Sequence, residues 1–114
     1  MLYVQKFSTL PIMNELIAYI TDNYPFVEEK YPELKDATEQ GRLKFAIRHL
    51  ALHFSKTAGK IAAVSEDADH GKRIDIEKIK EDIPKSLVNT LRLAELVGMT
   101  EEKIIKEIKA KYNT

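Results

Sequence analysis

Four polar side chains, His49, His53, Lys56 and Lys60, recur at helical spacing along an otherwise apolar stretch. His49 and His53 stand four residues apart, so both imidazoles can point one way from a helix. Such a pair can supply two ligands to zinc or a similar metal, with Glu66, Asp69 or His70 as the third. Without the glutamate of a metalloprotease motif the pair is equally a packed pair of histidines with hydrogen-bonded ring nitrogens. Lys56 and Lys60 are also four apart, and like charges so placed repel by a few tenths of a kcal/mol. They call for a partner: either a bound phosphate or other anion, or acidic residues on a neighbouring helix. Lys85 lies in the next helical segment and is the further candidate for an anion site. Glu77, Glu81 and Asp82 in that segment are weak metal candidates for magnesium, since hard cations take carboxylate oxygens. Carboxylates grouped in one helix are common, and a solvated face explains them as well.

These residues need a long helix to position them, and the stretch Arg42–Glu66 supplies one. Leu43, Ile47, Leu50, Phe54, Ala58, Ile61 and Val64 follow a three-four spacing, which marks one helix face. Phe45, Ala46, Ala51, Leu52, Ala62 and Ala63 form a second apolar band. A helix apolar over most of its circumference is packed on more than one side. The surplus predicts a homo-oligomer, a twofold dimer being the expected form.

The flanking segments read as further helices. Ser8 or Thr9 can cap a first helix that tolerates Pro11 in its first turn. Its stripe is Ile12, Leu16, Ile17, Tyr19 and Ile20, and Tyr24-Pro25 ends it. Residues 25–40 form a connector, with a short helix from Pro32. Residues 65–73, SEDADHGKR, read as a polar loop carrying Glu66, Asp67, Asp69 and His70. Asp75 can cap the next helix. The expected buried stripe of that helix is Ile76, Ile79, Ile83, Leu87, Leu91, Ala94 and Val97, closed by Gly98. Pro84 falls inside it and predicts one kinked helix rather than two. Thr100 caps a final helix whose buried side is expected at Ile104, Ile105, Ile108 and Tyr112. No strand alternation and no internal repeat is present. The fold class is therefore all-α: one domain over 1–114, a four-main-helix bundle whose long central helices form an antiparallel hairpin. Residues 1–40 make an arm, first helix and connector, and 41–114 the core helices. The hairpin places Lys56 near Asp82, and Lys60 near Glu77 or Lys78.

Composition narrows the function classes. With 18 basic and 18 acidic residues the formal charge is +0, which argues against general nucleic-acid binding. Cysteine is absent, so disulfides, thiolate metal sites and cysteine nucleophiles are excluded. That is compatible with a reducing cytoplasm, the expected location. No run approaches about 18 apolar residues, so no membrane span is expected, and the first residues do not read as a signal peptide. Phosphate-loop, dinucleotide and nucleophile-elbow motifs are missing. Arg42, Arg48 and Arg92 can contact phosphates, surface pairing being the plainer reading.

Two passages, LALHFSKTAGKIAAV and EDIPKSLVNTLRLAELVGMTEEKIIKEI, resemble the all-α nucleoside triphosphate pyrophosphohydrolases of the MazG-like superfamily. The likeness covers roughly residues 43–112 and rests most on LRLAELVGM with its capped helix behind. It implies the all-α NTP pyrophosphatase type of bundle, usually dimeric or tetrameric. It also implies carboxylates that hold Mg2+ in an E-E-x-x-E helix and an E-x-x-D helix. Here Lys56, Thr57 and Lys60 stand in the first motif, and Asp82 and Lys85 in the second. Lysine cannot replace a carboxylate as a magnesium ligand. The resemblance therefore implies a divergent member with a degenerate metal motif, binding a nucleotide or phosphate compound with weak or no pyrophosphohydrolase activity. The alternative is a non-catalytic helical oligomer serving as a structural or interaction module.

Overall fold

The computed structural model describes residues 12–112; the expectations at Ser8, Thr9 and Pro11 lie outside them. Four α-helices and one short 3-10 turn make up the regular structure, with no strand among the described residues. They are α1 (Ile12–Asn23), the turn Pro32–Leu34, α2 (Glu39–Asp69), α3 (Ile76–Leu96) and α4 (Glu101–Tyr112). No helix among them is long and apolar enough to cross a membrane.

Local chemistry accounts for most boundaries. Thr38 opens α2 by accepting from the Gly41 N–H at 3.0 Å, and Asp75 opens α3 by accepting from Lys78 at 3.0 Å. Asp36, at φ 61, reverses the chain ahead of α2 in a conformation that aspartate tolerates better than most residues. Gly98 takes φ 75, and the Met99 and Gly98 N–H groups donate to the Ala94 and Glu95 carbonyls. That is the Schellman closure of α3. Pro84 lies within continuous helix, as the unbroken stripe predicts, although its ring removes one backbone donor.

The polar segment expected as a loop is shorter than the sequence reading. α2 continues through Asp69, and the chain turns at Gly71 with φ 87. Ser65–Asp69 contains no proline or glycine, and nothing in it opposes helix strongly enough to stop propagation. Glu66, Asp67 and Asp69 are thus helical residues rather than parts of an acidic loop.

α3, not α2, is the hub: both α2 and α1 pack on it. Residues 42–46 share a groove with 95–96, and residues 53–60 share one with 84–89, so α2 and α3 run antiparallel. The buried apolar centre consists of Ile20, Leu34, Ala46, Leu50, Val64, Leu91 and Ala94. Several expected core positions lie elsewhere. Ile76, Ile83 and Leu87 on α3 and Val97 just beyond it are exposed, as are Ile12, Leu16 and Tyr19 on α1 and Leu52 on α2. α4 buries no residue at all, and Ile105, Ile108 and Tyr112 face solvent. Leu91 and Ala94 of the expected stripe are buried, and α3 also buries Asp82 and Asn89 on another side. The radius of gyration is 17.6 Å, against about 13 Å for a compact chain of this length. The helices splay instead of closing around one core.

Two reciprocal hydrogen bonds fasten α4 to α1. The Met13 N–H donates to Glu101 Oε1 at 2.7 Å, and the Glu101 N–H donates to Asn14 Oδ1 at 2.9 Å. Each bond satisfies a backbone donor at a helix start, where no intrahelical acceptor exists.

Candidate functional site

A groove of about 440 Å³ opens between α2 and α3. From α2 it receives His53, Lys56, Thr57 and Lys60, positions that one helix face presents together. From α3 it receives Pro84, Lys85, Val88 and Asn89, and Tyr24 closes one end. Three of the sequence candidates for an anion site, Lys56, Lys60 and Lys85, therefore converge, with His53 beside them.

The expected interhelical ion pairs do not form. Among the described residues neither Lys56 nor Lys60 has a carboxylate within 4.0 Å. Glu77 pairs with Lys80 on its own helix at 3.5 Å. Asp82 has Lys85 Nζ at 3.9 Å, a pair spaced i, i+3 along α3 rather than bridging to Lys56. Lys56 and Lys60 line the groove, whereas Asp82 is fully buried and takes no part in its lining. Both Asp82 carboxylate oxygens lack a hydrogen-bond donor among the described residues. Ammonium groups lining a partly apolar groove attract anions, and low-dielectric walls strengthen that attraction.

His49 has a different role from its neighbour. It leaves the row and enters a ring cluster with Phe26, Tyr31 and Phe45, at centroid distances of 5.6, 5.2 and 5.8 Å. The His53 ring lies 4.5 Å away. Burial, and then the positive neighbours His53 and Arg92, hold the His49 pKa below its ordinary value, with Glu33 opposing. Arg92 covers the Phe26 ring at 4.0 Å and donates to the Tyr24 carbonyl at 2.7 Å. This cluster pins residues 24–31 onto α2 and α3, which sets the end wall of the groove. Arg92 is thereby engaged by the protein's own Tyr24 and Phe26.

The metal candidates are not brought together. No group of three His, Asp or Glu side chains able to hold a metal exists among the described residues. Asp69 lies sixteen positions beyond His53, about 24 Å along a helix, so it does not complete the histidine pair. Glu77 and Glu81 are exposed while Asp82 is buried, since neighbouring helix positions diverge by about 100°. The donor set at the groove, with lysines where hard oxygen ligands belong, does not fit Mg2+.

No family model, no curated protein and no solved structure matches this chain.

Thr57 and Asn89 are groove residues that the sequence reading passed over as ligands. Both are buried polar side chains. A signal for Asn89 was present: it lies seven positions after Asp82, hence on the same helix face. Tyr24, Pro84 and Val88 carry no such mark, because only the crossing of the helices brings them to the groove.

Proposed function

We propose that this chain is a divergent MazG-like protein whose groove binds a phosphate-bearing compound, with weak or no pyrophosphohydrolase activity. The observation that carries this reading is the convergence of Lys56, Lys60 and Lys85, the first two without a carboxylate partner among the described residues. The sequence likeness over residues 43–112 and the antiparallel pairing of α2 with α3 support the family assignment and its type of bundle. A nucleotide fits the chemistry on offer: phosphates against the lysines, and a base against Tyr24 and His53 at the other side. Ammonium groups also stabilise charge that develops on phosphoryl oxygens. The attacking water has no carboxylate base among the groove-lining residues, and His53 is the nearest side chain able to take a proton.

Thermal unfolding with inorganic phosphate, pyrophosphate and the common nucleoside triphosphates, each with and without Mg2+, tests this. Ligand at about a hundredfold excess over its Kd adds roughly 2.7 kcal/mol of apparent stability. Stabilisation without metal, abolished in Lys56→Gln with Lys60→Gln, is the expected result. Absence of any shift refutes the anion site. Turnover of a nucleoside triphosphate at about 1 s⁻¹ or faster with magnesium or manganese refutes the degenerate reading.

One observation favours the second reading, a helical oligomer acting as a structural module. Apolar side chains stand exposed on every helix, among them Tyr19, Leu52, Ile83 and Ile108. The two readings are compatible, since burial of those faces leaves a groove between α2 and α3 in each copy.

A further inference from the structure

We propose that α4 pairs antiparallel with α4 of a second copy of this chain across a twofold axis. The inference is independent of what the groove binds. α4 is twelve residues long and buries none of them. Isolated helices of that length are marginal in water and depend on packing of an apolar face. Ile105, Ile108 and Tyr112, spaced three and four apart, make such a face, with exposures of 40%, 52% and 75%. The opposite face is plainly the solvent side, where Lys103 and Glu107 form an ion pair at 3.4 Å.

Charge identifies the occupant. The first turn of α4 is acidic, at Glu101 and Glu102, and its last turn is basic, at Lys109 and Lys111. A helix so polarised is complementary to itself only when the two copies run antiparallel, which is the relation a twofold axis imposes. Place that axis beside the midpoint of the helix, between Lys106 and Glu107. Ile105 of one copy then meets Ile108 of the other. Glu102 and Lys109 lie seven positions apart and so flank the stripe on the same edge. With that axis Glu102 of each copy lies two residues, about 3 Å along the helix, from the level of Lys109 of its mate, within reach of these long side chains on the shared edge. Stable interfaces bury about 1,200–2,000 Å², so the contact extends beyond α4. The adjoining apolar surface is the exposed stripe Ile12, Leu16 and Tyr19 on α1, the helix hydrogen-bonded to the start of α4.

Sedimentation equilibrium on the full chain and on charge variants tests the pairing, with circular dichroism to show that helicity is kept. The wild type is expected at twice 13.1 kDa. Glu102→Lys alone and Lys109→Glu alone each place like charges across the axis and are expected to raise the dimer dissociation constant about tenfold. The double variant re-pairs them with signs exchanged and is expected to recover most of that loss. Ile108→Glu is expected to give monomer. A monomeric wild type overturns the proposal. A dimer indifferent to Ile108→Glu and to both single charge changes overturns it too, and assigns the contact to another face.

Discussion

Replacing Asp82 by leucine is expected to stabilise the fold, against the usual direction for a fully buried position. The carboxylate is 0% exposed and both oxygens lack a donor among the described residues. A buried polar atom left so costs on the order of 1–3 kcal/mol, and a charged one more. The opposing attraction comes from Lys85 Nζ at 3.9 Å, worth about 4 kcal/mol at an effective dielectric of about 20. That figure is an upper bound here, because the Lys85 side chain is half exposed and water screens it. Leucine is close to aspartate in length, fills the site with carbon and removes the buried charge. Replacement of a buried ion pair by apolar residues is commonly neutral to stabilising by about 1–4 kcal/mol. With Lys85 retained in solvent, a gain of about 1–2 kcal/mol is expected. Urea unfolding followed by circular dichroism measures it as a higher midpoint at unchanged slope. A loss of 1 kcal/mol or more would refute the reasoning and show that the carboxylate has donors in solution. Phosphate binding is the second readout. A carboxylate beside the lysines repels anions, so Asp82→Leu is also expected to tighten binding of inorganic phosphate.

Three other perturbations follow from the same structure. Gly59 lies inside α2 with no atom within 4 Å of an added Cβ, so Gly59→Ala is expected to stabilise by about 0.5–1 kcal/mol in the same urea assay; destabilisation would mean that this face is covered in an assembly. The depressed pKa of His49 means that the folded state binds its proton less readily than the unfolded state. Its contribution to stability is therefore complete above pH 6.5, the unfolded value, and is lost as pH falls through the lower folded pKa. Urea midpoints at pH 5 and 7.5 should show that loss, with a smaller difference in His49→Gln. Arg92→Ala removes both the Tyr24 hydrogen bond and the stacking on Phe26 and is expected to cost about 2–3 kcal/mol; Arg92→Lys should recover little, because lysine lacks the planar fork.

The element boundaries were legible wherever a residue acts through its own backbone. Asp75, Gly98 and Thr100 cap or close helices by local chemistry, and the Tyr24-Pro25 step ends α1 by local sterics. The face each helix buries was less legible. α3 carries apolar residues on two sides, and the stripe through Ile76, Ile83 and Leu87 is the longer one. Periodicity reports that a face prefers cover; it does not report which neighbour supplies the cover. α3 buries Asp82 and Asn89 on one side and, from the expected stripe, Leu91 and Ala94 on another, while Ile76, Ile83 and Leu87 stay outside. The candidate site divides the same way. The row His53, Lys56 and Lys60 was readable from one helix alone, and Lys85 joined it once a hairpin was assumed. His49 departed because Phe26 and Tyr31, brought in by the connector, offered its ring a more apolar setting. Thr57 and Asn89 needed the packing of both helices to be recognised.

The packing of α1 on α3 sets an order of assembly. α2 and α3 are neighbours in the chain, joined across residues 70–75, so their association closes a short loop at small entropic expense. α1 must instead reach over the whole length of α2 to meet α3. That longer closure is rewarded only after the α2–α3 surface exists. α1 is therefore the last of the three to dock and the first to leave. Amide protons of residues 13–23 should exchange well before those of Leu50 and Leu91, and α4, tethered through Met13 and Asn14, should be released in the same step.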